Sequence, residues 1–448
     1  MELGTETFRS FRLIYRHKKN YFFMAILSSS TSALHKHFFG PISDLMSKLN
    51  HRRACPKLCD EDWLEIGICR VVEGVKSGRD FLQSMQSKLK LPSVDHFFDT
   101  LKSERRLALC AEANAQLTAV MTHSVPDAFA AYSCLKQFDL HAADGHAHAA
   151  AVHDAHQYSK TSATGNAKFA TSHIYSLNLR THALTHLSVA DQITRRKEHE
   201  MRTLKRLTLD ELRQGAPTGR KVLYVYDPAC IDYGLWSELK RGGVYFLTRL
   251  KKNSRMHKSG SRSYDPNDPF NAGVILDQQV GLGGVMVRHV QYRCPQSGEI
   301  YDFLTNEMTI PPGLIARIYK MRWDIEKVYD EMKNKLDEQK AWASTPTAKT
   351  MQANFICLAH NLMVIQEHRL KTDEGVTNTS EIKRKAQRLE EEISRLAEKN
   401  EILPVLLQDF QRLTQRSVKY VRWLRAYLFS NAPWPDMVAA LRQSYAVF

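Results

Sequence analysis

Tyr319-Lys-Met-Arg-Trp-Asp-Ile-Glu-Lys-Val-Tyr-Asp-Glu-Met-Lys333 is the stretch on which the fold of this chain turns. Wound as one helix at about 100° per residue, it puts Tyr319, Arg322, Glu326 and Lys333 within an arc of roughly 60°. A phenol, two cations and a carboxylate then share one stripe. Ile318, Met321, Ile325, Val328, Met332 and Leu336 make a second stripe about a quarter-turn away, the apolar face a helix needs to dock on a core. The expected element is a helix anchored along one side with ionisable groups beside the anchor. On a free surface Arg322 and Glu326, at i and i+4, would be an ordinary pair, so their chemistry depends on what the rest of the chain brings to them.

Composition bounds the answer. A chain of 448 residues with 43% hydrophobic content should hold two or three domains around a sizeable core. The 63 Lys+Arg against 48 Asp+Glu leave a net charge of +15, which points to a polyanion or an acidic membrane surface. No apolar run approaches the ~18 residues of a membrane helix, so nucleic acid is the expected partner and a membrane is not. The apolar run 21–27 after Arg16-His17-Lys18-Lys19 is too short and too far along to read as a signal peptide, and a buried helix is expected there. Eight scattered cysteines without CxxC spacing suit a reducing, cytoplasmic compartment. Cys55, Cys59 and Cys69 lack a fourth ligand for zinc and read as buried thiols.

Along the chain, residues 1–125 read as helical, with Asp60 capping a helix to residue 75, a short segment at 79–86, and Pro92-Ser93 opening a helix that carries Lys102, Arg105 and Arg106. Such a trio suits a DNA-end-binding domain of helix-turn-helix type. From residue 132 the texture is β. Strands are expected at 133–143, ending at the turn signal Asp144-Gly145, then at 169–178 and 184–189, followed by a basic helical stretch at 195–214 and a buried strand at 221–226 ending at Asp227. A short helix at 235–240 and a strand at 243–250 come next. Residues 254–270 read as loop, and strands at 274–280, 285–292 and 300–305 complete a β-rich block before Pro311-Pro312 opens the helix quoted above. Beyond it lie an apolar helix at 350–368, a heptad-like run through Ile382, Ala386, Leu389, Ile393, Leu396 and Leu403, and a basic aromatic helix at 418–430. The heptads could pair within the chain or between two copies.

Asp144 and Asp227 both stand at predicted strand exits, and Glu326 stands on the helix. Three carboxylates from strand, strand and helix make an oxygen-only site for Mg²⁺ or Mn²⁺, with positions left for water and phosphate. Two such ions suit an in-line phosphoryl displacement, and crowded carboxylates need a cation to stay ionised. The acids are 83 and 99 residues apart. Around them Arg322 can fork onto a phosphate, Lys333 can add a point charge, Tyr319 can donate a hydrogen bond, and Trp323 offers a face for an unstacked base.

The spacing Tyr319-x2-Arg322-x3-Glu326-x6-Lys333 resembles the signature helix of the DDE transposases of bacterial insertion sequences, specifically the insertion sequence four family. Leu304-Thr305-Asn306, Asp144-Gly145 and Phe246-x2-Arg249-Leu-Lys251 are similar to further family landmarks, and the likeness covers about residues 130–365. The resemblance implies an α/β fold: an RNase H-like catalytic core at 130–370 with a β-rich insertion at about 245–310, flanked by helical regions at 1–125 and 375–448, the latter available for dimerisation. It also implies that Asp144, Asp227 and Glu326 bind two Mg²⁺ ions, and that Tyr319, Arg322, Trp323, Lys333, Arg249 and Lys251 handle DNA. The implied activity is cut-and-paste transposition at terminal inverted repeats by a homodimer on paired ends, some members passing through a DNA hairpin. Two departures stand out. The family often has Arg-Gly after the second acid where Pro228-Ala229 stands here, which makes Asp232 a fallback, as Asp139 and Asp154 are for Asp144. The insertion has no Trp, so a base-flipping wedge would fall to an aromatic such as Tyr292 or Tyr301.

Two other readings stay open at this level. His141, His146, His148, His153 and His156 with Asp154 could form a metal-dependent hydrolase site acting on something other than DNA, although histidines in an Ala-rich polar loop are commonly solvated. The chain could also be a DNA-binding descendant of a transposase without turnover.

Overall fold

A computed structural model describes residues 32–53, 58–74, 77–89, 94–149, 158–161, 167–190, 200–251, 254–295, 297–336, 341–399 and 416–446. The apolar run 21–27, Cys55, Pro92-Ser93, His153, Asp154, His156, residues 195–199, Asn400 and Leu403 lie outside them.

Five helices come first: α1 (Ala33–Met46), α2 (Asp60–Glu73), α3 (Gly78–Leu89), α4 (Val94–Thr100) and α5 (Glu104–Ser124). Ser32 and Ser103 cap α1 and α5 by accepting from the backbone N–H three residues on. The cap of α2 is Cys59, whose thiol accepts from the Asp62 N–H at 3.3 Å, and not Asp60 as expected. Asp60 is buried instead by two 2.9 Å hydrogen bonds from Arg105, while Arg106 lies over the Trp63 ring and donates to the Leu58 carbonyl. Both arginines of the expected reader helix are thus engaged inside the helical region.

The chain then enters β1 (Phe138–Ala149), β2 (Tyr158–Thr161), β3 (Ala167–Asn178) and β4 (Leu184–Val189), passes through the short helices α6 (Glu200–Leu204) and α7 (Leu209–Leu212), and continues with β5 (Lys221–Val225), α8 (Tyr233–Arg241) and β6 (Val244–Arg249). Strands β7 (His257–Ser261), β8 (Val274–Leu282), β9 (Val285–Arg293) and β10 (Ile300–Thr305) follow. All ten join one sheet in the order β2-β3-β1-β5-β6-β10-β9-β8-β7, with β4 also on β3. Within it, β4-β3-β1-β5-β6 is an RNase H-like core: β3 runs antiparallel to β1 and β4, and β5 and β6 run parallel to β1. The insertion extends this sheet outward from β6 through β10. Residues 257–261, expected as loop, form its outermost strand because they pair with β8 despite a sequence poor in strand formers.

Helices complete the chain: α9 (Pro312–Lys320), α10 (Trp323–Asn334), α11 (Pro346–Thr372), α12 (Thr379–Ala397), α13 (Val418–Tyr427) and α14 (Trp434–Ala446). Helix α11 is buried along most of its length between the sheet and the N-terminal helices, polar Lys349, Gln352, His360 and Gln366 included. Its Asn361 side chain both accepts from the Leu184 N–H at 2.8 Å and donates to the Leu184 carbonyl at 3.0 Å, satisfying a buried amide on β4. On the other side Gly67 of α2 approaches so closely that a Cβ there would lie 2.1 Å from the Phe355 ring. Among the described residues no helix is long and apolar enough to cross a membrane.

Two expectations near the acids need correction. Asp144-Gly145 is not a strand-to-turn junction: β1 runs on to Ala149, because pairing with β3 continues to Ala149 and overrides the local turn preference of Asp-Gly. The quoted stretch is also not one helix. The chain tightens at Met321 and Arg322, where the Arg322 N–H bonds to the Tyr319 carbonyl and the Ile325 N–H to the Arg322 carbonyl, three residues back in each case. Tyr319 therefore belongs to α9 and Glu326 to α10.

Candidate active site

The sheet pairs the strands that lead to two of the acids. Every β1–β5 pair, from Phe138 with Lys221 to Ala142 with Val225, is offset by the 83 residues that separate Asp144 from Asp227. Prolonged by two residues that register would align Asp144 with Asp227, but the pairing stops at Ala142 and Val225 and Asp227 lies in the turn just after β5. The β5–β6 offset of 22 residues, as in Val222 with Val244, prolonged in the same way would align Arg249 with Asp227. Because β5 ends at Val225, β1 has lost that neighbour by Asp144, and the sheet opens there.

Helix α10 covers this opening. The Tyr329 hydroxyl donates to the Asp144 carbonyl at 2.7 Å, and its ring stacks on His146 with centroids 4.5 Å apart. One turn earlier, Arg322 donates to Glu326 Oε1 at 2.8 Å and lies 3.6 Å from Asp144 Oδ2. A buried guanidinium is thus shared by the first and third acids. Burial works against its charge, but Tyr319, Asp144 and Glu326 together hold it above the usual arginine range. Asp227 is half-buried, with its Oδ1 accepting from the Ala229 N–H at 2.8 Å in the turn after β5.

A fourth carboxylate, absent from the sequence reading, borders the site. Glu200 of α6 packs so close to β1 that a Cβ on Gly145 would fall 2.7 Å from its Oε1. The Cys230 thiol, itself pushed up by burial and then by Glu200, donates to Glu200 Oε2 at 3.5 Å. Burial, with the negative charges of Glu200 and Glu326, pushes the Asp144 carboxyl up to about 6 against the pull of the Gly145 N–H and Arg322. No spacing rule flags Glu200. Tyr329 could have been found, since it lies one turn beyond Glu326 on the same helix.

The remaining candidates spread around this centre. Tyr319 is largely buried against Phe303, with ring centroids 5.0 Å apart, and burial raises its phenol. Trp323 is 52% exposed, Lys333 and Lys251 are exposed, and the exposed Arg249 lies 4.8 Å from the Tyr301 ring centroid. Asp232 caps α8 and pairs with Lys205 at 2.5 Å, and Asp139 is buried between His141 and Asn178 at 2.9 Å each. His141, His146 and His148 are not in a solvated loop but on β1, buried, with His148 bonded to the Tyr175 hydroxyl at 2.9 Å. Among the described residues no three His, Cys, Asp or Glu side chains converge as a ready metal cage. Asp144 and Glu326 are carboxylate oxygen donors with an arginine lodged between them.

Residues 142–362, which span all three acids, match the family model described as the transposase DDE domain. The protein named "Putative transposase y4zB" from Sinorhizobium fredii (strain NBRC 101917 / NGR234) is 25% identical over 149 residues, 32% of this chain. The match spans 42% of that relative's length. A chain of the piggyBac transposase synaptic complex with hairpin DNA, solved by cryo-electron microscopy, aligns with a TM-score of 0.38 and 12% identity over 92% of this chain and 88% of its own.

Proposed function

We propose, from the similarity of residues 142–362 to the family model described as the transposase DDE domain, that this protein is a DNA transposase cutting and joining DNA at the terminal inverted repeats of an insertion sequence. The observation that carries the reading is Arg322 tying Asp144 to Glu326, with Asp227 in the turn directly after β5, the parallel neighbour of β1. In this reading Asp144, Asp227 and Glu326 hold divalent cations, Mg²⁺ or Mn²⁺ and two of them. The donors fit, being hard carboxylate oxygens, and an arginine already shared by two of them marks a place built for positive charge. Such ions, when bound, activate water or a 3′-hydroxyl and neutralise the departing oxygen.

The chain's own groups do the rest. The exposed Lys333, Arg249 and Lys251 grip phosphates of the element's end, while Arg322 and Tyr319, buried beside the acids, reach a phosphate only where it is seated among the carboxylates. Exposed Trp323 stacks on an unpaired base. The reading places the protein in the bacterial cytoplasm as a homodimer on paired DNA ends. The test is cleavage of DNA carrying the element's inverted repeats, with Mg²⁺ supplied or chelated. Glu326→Ala should reduce nicking below detection while leaving end binding within about threefold, and a variant that still cuts would remove Glu326 from the site.

A further inference from the structure

Arg70, near the end of α2, is 9% exposed, and its Nη1 is enclosed without a hydrogen-bond acceptor. Among the described residues no acid offsets its charge: burial alone acts on the guanidinium and pulls it down to about 10. What it touches is aromatic. Its Cζ lies 4.2 Å from the Trp342 ring centroid and 5.6 Å from that of Phe98. Stacking recovers part of the lost hydration and leaves the N–H donors unmatched. The neighbouring buried Arg106 also lies over a ring, that of Trp63, yet it has Asp60 at 3.7 Å and the Leu58 carbonyl to donate to. Arg70 has no such partner, and a buried polar group of this kind calls for one.

The guanidinium rests against the start of α3, where a Cβ on Gly78 would fall 2.3 Å from Nη2. A helix start carries unpaired N–H groups and a partial positive charge. The Ser77 hydroxyl accepts from the Asp80 N–H at 3.2 Å and the Ser77 carbonyl from the Phe81 N–H, which leaves the N–H groups of Gly78 and Arg79 to an outside acceptor. Ser77 and Arg79 are exposed, so the place is open to solvent. Asp80, the acid in the first turn of α3, is exposed and contributes nothing to the charge balance of Arg70. Two positive features are thus pressed together, an arrangement that an anion beside them would make favourable.

We infer that Arg70 and the start of α3 form a binding site for a phosphate group, with the guanidinium and the helix-start N–H groups as its donors. A backbone phosphate of DNA and free inorganic phosphate share this chemistry. The surroundings favour DNA, an assignment that rests on the function proposed above. Trp342, stacked with Arg70, directly follows Ala341, whose N–H bonds to the carbonyl of Ala149 at the end of β1 at 2.8 Å. A backbone held at Arg70 is therefore fixed relative to the strand that carries Asp144.

Arg70→Met and Gly78→Ala test the site in the full chain. The first keeps an unbranched stem against the rings without the charge, and the second displaces only the flexible end of Arg70. In thermal unfolding without phosphate, Arg70→Met should be at least as stable as wild type, because no buried charge is left to offset. Inorganic phosphate, compared with chloride at equal ionic strength, should raise the wild-type midpoint, and both variants should bind it about tenfold more weakly. With chelator present, both variants should also bind inverted-repeat DNA about tenfold more weakly and lose about one unit from the slope of log K against log salt. Weakened phosphate binding with unchanged DNA binding supports the site and assigns it to free phosphate. Wild type that binds phosphate but no DNA supports the site while removing the DNA reading. The inference is overturned if both variants keep the wild-type response to phosphate, or if Arg70→Met is the less stable protein without phosphate, the behaviour of a cation held for its stacking alone.

Discussion

Removing one oxygen atom tests whether α10 positions the third acid. Tyr329→Phe keeps the ring on His146 and deletes the hydroxyl that donates to the Asp144 carbonyl at 2.7 Å. The lost hydrogen bond is worth about 1 kcal/mol net, and since Asp144 still pairs with Tyr175 in the β1–β3 ladder, a loss of about 1 kcal/mol is expected in urea unfolding. The same bond fixes the height of α10 on β1, and Glu326 lies one turn before it. A displacement of ~1 Å at a reacting centre costs roughly 100-fold in rate. Single-turnover cleavage at saturating Mg²⁺ should therefore slow by about 10- to 100-fold at temperatures where the variant is fully folded. A variant that loses the expected stability yet cleaves at the wild-type rate would show that the tether supports the fold and does not place Glu326. Unchanged stability would show that the hydrogen bond contributes nothing.

Two further outcomes follow from the geometry. Gly145→Ala brings a Cβ to 2.7 Å from the Glu200 carboxylate, the far end of a flexible side chain that can swing aside, so it should cost no more than about 1 kcal/mol, and Glu200→Ala should remove most of that cost in a double-mutant cycle on thermal unfolding. Buried beside Arg416 and His360, Glu331 overcomes its own desolvation and its carboxyl falls to about 2. Its contribution is then present above the ordinary carboxylate range and lost as pH falls through about 2. Glu367, pushed up to about 7 chiefly by burial, has the opposite sign and contributes below the ordinary range, a contribution lost as pH rises through about 7. Stability measured across pH 2–8 should lose its acid-side decline in Glu331→Gln and its neutral-side decline in Glu367→Gln, and curves of unchanged shape would refute the assignment.

Much of the fold follows from local pattern. Strands at 184–189 and 300–305 occupy the predicted positions because their apolar runs are bounded by clear breakers, and Pro312 opens α9 where the Pro-Pro pair suggests. The spacing of 83 between Asp144 and Asp227 acquires a structural meaning only once β1 and β5 are seen to pair in a parallel register with that same offset. The break at Met321 and Arg322 is hidden because Ile318, Met321, Ile325 and Val328 keep helical spacing straight through it, and a single tightened turn changes hydrogen bonds without changing which face is apolar. Asp144-Gly145 misleads for a different reason, since its turn preference is real but weaker than the ladder to β3. Glu200 is illegible in principle, being a lone acid near no motif and brought to Gly145 only by tertiary packing.

The insertion's place in the sheet has a kinetic meaning. Because β10 docks on β6 by pairing Thr305 with Leu247, strands β7, β8 and β9 lie inside a long loop that this pairing closes. Closing long loops slows folding, so a substitution that weakens β8 or β9, remote from the three acids, is expected to slow refolding without altering the chemistry of the sites that form, and refolding of such a variant at the wild-type rate would refute this.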